Sequence, residues 1–264
     1  AFGATVSLGA LLAADISGDD ALSGLATASV TLGAALCAIP LARLAARVGR
    51  RRALTLGNLF ALVGIAVVIL AASLRVFPLL LAGILMIGAG NAGNLQSRFA
   101  ATDLAVPAHR GRDLSIVVWA TTIGGVAGPL LLGPGEIVGA AIGMPPQTGS
   151  YVFSFVAQSA ALVLYLVALR PDPLLAAQRL ATAAAANAAP AVPDRPVAAR
   201  YAMFAIAGSH VTMASVMAMT PVHLSHMAHS MHPGHDATAA AADVSQLVGV
   251  TIAAHVAGMY ALSP

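Results

Sequence analysis

Long apolar runs without charge, repeated along the whole chain, constrain this sequence more than any other feature. The hydrocarbon core of a bilayer is about 30 Å thick and takes roughly 20 apolar residues per helical crossing. Windows of about that length cover residues 23–42, 53–72, 78–97, 114–132, 151–169, 201–221 and 244–262, and a shorter one covers 1–14. None holds an arginine or an acid well inside it. The runs are continuous rather than alternating, so they describe helices and not the strands of a barrel. Charged residues make up 9% of the chain, against roughly 25% in a soluble domain. That balance argues against a soluble enzyme, a nucleic-acid binder or a disordered linker. The expected fold class is an all-α membrane protein, a bundle of about eight transmembrane helices.

The charges order those helices. All 13 basic residues are arginines. Arg43, Arg47, Arg50, Arg51 and Arg52 follow the second span; Arg98, Arg110 and Arg112 follow the fourth; Arg170, Arg179, Arg195 and Arg200 follow the sixth. Only Arg75 falls in a loop on the other side. The positive-inside rule makes the arginine-rich face cytoplasmic. Asp19, Asp20, Glu136, Asp236 and Asp243 fall in the opposite loops. The single cysteine, Cys37, excludes a disulfide framework within one chain. The stretch 170–200 is rich in alanine and proline, reads as a stiff inner linker with a short surface helix over 174–186, and is the expected domain boundary. The expected organisation is a bundle of six spans over 1–169, a cytoplasmic linker over 170–200, and two further spans over 201–264. The apolar stretch 137–144 is too short to cross and is expected to be an outer half-helix or a packed loop. The chain opens at Ala1 and ends inside an apolar segment, so it is expected to be a fragment.

Two motifs carry a resemblance. The loop after the second span reads Ala42-Arg43-Leu44-Ala45-Ala46-Arg47-Val48-Gly49-Arg50-Arg51, and the fifth span holds Gly124-Gly125-Val126-Ala127-Gly128-Pro129. With six spans, an inner linker and then more spans, the chain resembles the major facilitator superfamily of secondary transporters. The loop is similar to that family's signature at Arg47, Gly49, Arg50 and Arg51, while Ala42 stands for a glycine and Ala46 for an aspartate. The resemblance implies that this acid's inner-gate contact is missing here. Gly124, Gly128 and Pro129 are similar to the glycine-proline signature of the family's exporters; GxxxG spacing equally permits close helix packing. The arginine that exporters carry four residues before a glycine of the fourth span is Ile84 here, counting back from Gly88. The resemblance implies two six-helix halves with alternating access between them, and that about the last four spans of twelve lie outside this sequence. The glycine run 88–93 superficially suggests a phosphate loop, but it sits inside a span with no strand before it, so a nucleotide site is rejected.

Polar groups deep in a membrane are costly and tend to face a cavity or one another. Asn58, Asn91, Asn94, Gln96, Thr121, Thr122 and Gln158 sit inside spans and either bind a substrate or tie helices together. Trp119 either packs on a helix or faces an aromatic substrate. His210 and His255 lie near the centres of the seventh and eighth spans. Imidazole titrates near pH 6.5, so these two, with Asp15 at the outer end of the first span, are the candidates for proton coupling. The alternative for each histidine is a neutral ring bonded to a neighbouring helix, and for Asp15 an interfacial acid in contact with water.

After the seventh span, His223, His226, His229, His232 and His235 recur at every third position, interleaved with Met227 and Met231, in what reads as an outer loop. Imidazole suits zinc, copper or nickel, and thioether suits cuprous copper. Either these five histidines bind metal or they form a soft polar loop. The expected function is a secondary transporter, a proton-coupled exporter or antiporter of a small molecule in the inner membrane. The alternative is a membrane metal-binding or sensing protein that works through the histidine loop. No convergent nucleophile, base and acid is present, so no enzyme is expected; no cofactor is implied. The expected partners are a small-molecule substrate, the lipid bilayer and protons, and no nucleic acid.

Overall fold

The computed structural model describes residues 2–19, 22–106, 108–185, 196–231, 254 and 258. Among them the secondary structure is helical: α1 (Phe2–Ser17), α2 (Ser23–Val48), α3 (Arg50–Leu74), α4 (Phe77–Thr102), α5 (Arg110–Leu130), α6 (Leu132–Ala141), α7 (Ser150–Val167), α8 (Pro173–Ala185) and α9 (Pro196–Met231). The chain is an all-α membrane protein. By length and apolarity, α2, α3, α4 and α7 each suffice to cross a bilayer. The helices fall into two compact units, α1–α7 with α8 through Ala183 in the first and α9 in the second. Of the half-helix and the packed loop expected at 137–144, a short helix forms, α6; the short helix expected over 174–186 forms as α8, and Glu136 sits in α6 rather than in a loop.

Within the first unit, α4 is the central helix and packs most extensively on α3 and α2. Helices in lipid gain little from hydrophobic association, so close backbone approach matters more. Glycines supply it. A side chain on Gly88 would run into the Val30 carbonyl of α2, and one on Gly64 of α3 would lie 2.7 Å from the Gly83 carbonyl of α4. The run 88–93 is therefore the packing seam of α4.

The apolar core has a direction. Leu12, Ala13, Ala26, Val30, Ile65, Val68, Ala71, Leu80, Ile84, Ile87 and Tyr151 form one buried cluster. These residues come from the end of α1, the start of α2, the end of α3, and the starts of α4 and α7. All of those segments share one end of an antiparallel bundle. Asn58 of α3 and Asn91, Asn94 and Gln96 of α4 lie further toward the opposite end, while the buried Ser150 and Ser154 of α7 belong to the core end.

Candidate functional site

The end of the bundle away from the apolar core begins at a one-residue joint. Gly49 closes α2 and opens α3, with φ 99° and ψ 161°. Only glycine adopts that backbone without strain. A Cβ there would also lie 2.6 Å from Cγ of Asp172. The Asp172 carboxylate fills that space because α3 presents its first N–H groups there. Oδ1 accepts the Arg50 N–H at 3.0 Å and Oδ2 the Arg51 N–H at 2.8 Å. Oδ1 also accepts the N–H groups of Leu174 and Leu175, at 3.1 and 3.2 Å. Asp172 is thus the N-cap of α8, with Pro173 at the first helical position, and it caps α3 as well. One carboxylate satisfies donors at two helix N-termini, where the peptide dipoles favour negative charge.

The Arg50 side chain runs the other way, to α4. Its Nε and Nη2 donate to Asp103 Oδ2 and Oδ1 at 3.0 and 3.1 Å, a bidentate pair. Both side chains are only 11% exposed. The guanidinium also lies 5.7 Å from the ring centroid of Phe99, one turn back on α4. The loop that lacks its own acid at Ala46 is therefore met by two carboxylates from elsewhere in the chain. Arg47 is exposed in the last turn of α2, where a cation complements the helix dipole.

Asp15 lies at the opposite end of α3. Arg75, in the left-handed conformation that ends α3, donates to the Asp15 carboxylate at 3.2 Å and to its carbonyl at 2.9 Å. These side chains are 62% and 50% exposed. Pairs this wet contribute at most about 1 kcal/mol.

Between the two ends lies a cavity of about 160 Å³ lined by Leu54 and Asn58 of α3, Ile87, Gly90, Asn91, Gly93 and Asn94 of α4, and Gln158 and Tyr165 of α7. Asn58 Nδ2 donates to the Gln158 carbonyl at 2.7 Å and ties α3 to α7. Gln96, on another face of α4, reaches the Ala38 carbonyl of α2 at 3.4 Å. The structure thus brings Asn58, Asn91, Asn94 and Gln158 to one cavity and sends Gln96 to a helix contact. Thr121 bonds the Val118 carbonyl of its own helix.

The other sequence candidates lie apart from this cavity. Gly124, Gly128 and Pro129 are in α5, and among the described residues no atom comes within 4 Å of where a Gly124 side chain would start. Trp119 is exposed on the same helix. His210 is exposed on α9. That helix runs through Pro221 to Met231. His223, His226 and His229 are therefore helical rather than in the expected loop. His232, His235 and His255 lie outside the described residues. Among the described residues no three His, Cys, Asp or Glu side chains converge on a metal-sized site. Asp103 and Asp172 were not anticipated from the sequence. A signal existed for Asp172, since Asp-Pro followed by an apolar helix is a capping pattern.

The family model described as Major Facilitator Superfamily matches residues 1–263. The chain belongs to the major facilitator superfamily. It is 37% identical over 230 residues to the uncharacterized MFS-type transporter YdeG of Bacillus subtilis (strain 168), an alignment covering 84% of this chain and 53% of that protein. It is 33% identical over 271 residues to the uncharacterized MFS-type transporter YddS of the same organism, covering 99% of this chain and 58% of that protein. The chain thus spans little more than half the length of these superfamily relatives. No solved structure matches it.

Proposed function

We propose that this superfamily member is part of a secondary transporter that moves a small molecule by alternating access, as a proton-coupled exporter. The first unit is the six-helix half over 1–169, residues 170–200 are a cytoplasmic linker, and 201–264 begin the second half. The arginine-rich end faces the cytoplasm in a cell inner membrane.

The observation that carries this reading is the asymmetry of the first unit. Apolar side chains close the end that holds Leu12, Ile65 and Ile84, while an amide-lined cavity occupies the other half. A bundle sealed at one end and polar toward the other fits one state of an alternating cycle. The second state requires another packing close in energy, and substrate shifts the balance only through differential affinity. The clasp of Arg50, Asp103 and Asp172 joins α3, α4 and α8 at one end, which suits rigid-body rocking of the half. Arg47, Gly49, Arg50 and Arg51 serve as the gating loop, Gly124, Gly128 and Pro129 as the flexible stretch of α5, and His210 and His255 as proton carriers.

The test is solute-driven proton movement by the full-length protein in proteoliposomes with an imposed pH gradient and an internal pH dye. Export of at least one compound class should dissipate the gradient, and His210→Ala with His255→Ala should uncouple it. A protein that passes no solute in either direction would overturn the reading.

A further inference from the structure

The cavity between α3, α4 and α7 holds more hydrogen-bonding capacity than the protein uses. Asn91 and Asn94 stand three residues apart and Ile87 and Asn91 four apart, so these share one face of α4. Gln158 and Tyr165, seven apart, share one face of α7. Among the described residues, the side chains of Asn91, Asn94, Gln158 and Tyr165 have no hydrogen-bond partner, and Asn58 uses only its Nδ2. Each free amide offers two donors and an acceptor, and the phenol offers one of each role. Asn91, Gln158 and Tyr165 are half-buried and Asn94 is exposed, so these groups are accessible to a molecule that enters the cavity and pairs with them.

The lining also says what that is. It contains no acid and no cation. An ion placed there would lose its hydration and meet no counter-charge, which costs several kcal/mol. An apolar molecule would leave the amides unpaired. Leu54 and Ile87 give one apolar wall beside the polar ones. A hydroxyl both donates and accepts, and a chain of them presents carbon on one side and oxygen on the other. The volume of about 160 Å³ matches about five water molecules at roughly 30 Å³ each, the size of a three- or four-carbon polyol.

We propose that this cavity is a binding site for a small uncharged polyol, held by Asn58, Asn91, Asn94, Gln158 and the Tyr165 hydroxyl. The site lies within one unit of the chain, and its role as a cargo site rests on the transporter reading above. The probe is radiolabelled erythritol in equilibrium binding to the full-length protein in nanodiscs, with erythronate and serinol as anionic and cationic comparators. Erythritol should bind saturably at one site per chain, and each charged comparator at least tenfold more weakly. Asn91→Leu and Gln158→Leu should weaken erythritol tenfold or more. Tyr165→Phe removes only a hydroxyl, leaves the packing intact, and should weaken it about threefold; Thr182→Ala on α8 should change nothing. No saturable erythritol binding to the parent protein, equal binding by the charged comparators, or affinity unchanged in both Asn91→Leu and Tyr165→Phe overturns the proposal. Site-dependent binding without erythritol flux in proteoliposomes supports the site and overturns the transporter reading instead.

Discussion

Breaking the Arg50–Asp103 pair measures how far the clasp departs from an ordinary surface ion pair. The perturbation is a double-mutant cycle of Arg50→Met and Asp103→Asn. Met keeps the apolar stem of Arg50 and its backbone N–H, so the bond from that N–H to Asp172 survives. Loss of the guanidinium contact with Phe99 is present with either residue at 103, so it cancels in the cycle. What remains is the bidentate interaction, two bonds of 3.0 and 3.1 Å between side chains 11% exposed. Hydrogen bonds to charged groups are worth about 1.5–3 kcal/mol net each in such settings. The second bond of a bidentate pair adds less than the first, because the first has already fixed the geometry, so the expected coupling is about 2–3 kcal/mol. The assay is equilibrium unfolding of the full-length protein in mixed micelles, followed by helical circular dichroism. The Arg75–Asp15 pair is the internal control, with an expected coupling of no more than about 1 kcal/mol because both side chains are mostly in water. A coupling at Arg50–Asp103 as small as the control's refutes the argument.

Gly49→Ala combines an unfavourable backbone conformation with a collision against Asp172; it should lose about 1–3 kcal/mol in the same unfolding assay. Asp172→Ala should cost a similar amount by uncapping two helices, and protease cleavage within α8 should accelerate; unchanged proteolysis would contradict the shared cap. Gly88→Val places a branched side chain where the Val30 carbonyl packs, so α2 and α4 must separate and the protein should unfold at lower denaturant, whereas Gly124→Ala, with open space around it, should not. Asn58→Ala removes the α3–α7 bond and should cost about 1 kcal/mol, read as a shift in the unfolding midpoint.

Much of the helical order was legible because lipid imposes it. Residues 23–42, 53–72 and 78–97 lie inside α2, α3 and α4, since a charge-free run of that length has few other fates. The ends were harder. The sequence suggests that the third span starts at 53, yet α3 starts at Arg50, because arginines continue a helix once Asp172 caps it. His223, His226 and His229 looked like loop because a span of about 20 residues was already complete by Pro221, but a helix is free to project beyond the apolar core. The clasp itself was half visible. Arg47, Gly49, Arg50 and Arg51 stand out as a motif, while Asp103 and Asp172 lie 53 and 122 residues from Arg50 and only tertiary structure brings them back. For the same reason Asn58, Asn91 and Gln158 were individually conspicuous as polar residues in apolar runs, but nothing in their spacing revealed one shared cavity.

The most direct test of the account is the sidedness of the two ends of the first unit. In a Cys37→Ser background, single cysteines are placed at Ala46 and at Ser73, both exposed and near opposite ends of the bundle, and probed with a membrane-impermeant maleimide. The account predicts that the cysteine at 73 labels in intact cells and the one at 46 labels only in inside-out vesicles. Labelling of the cysteine at 46 from outside intact cells, or equal labelling of both from one side, contradicts it.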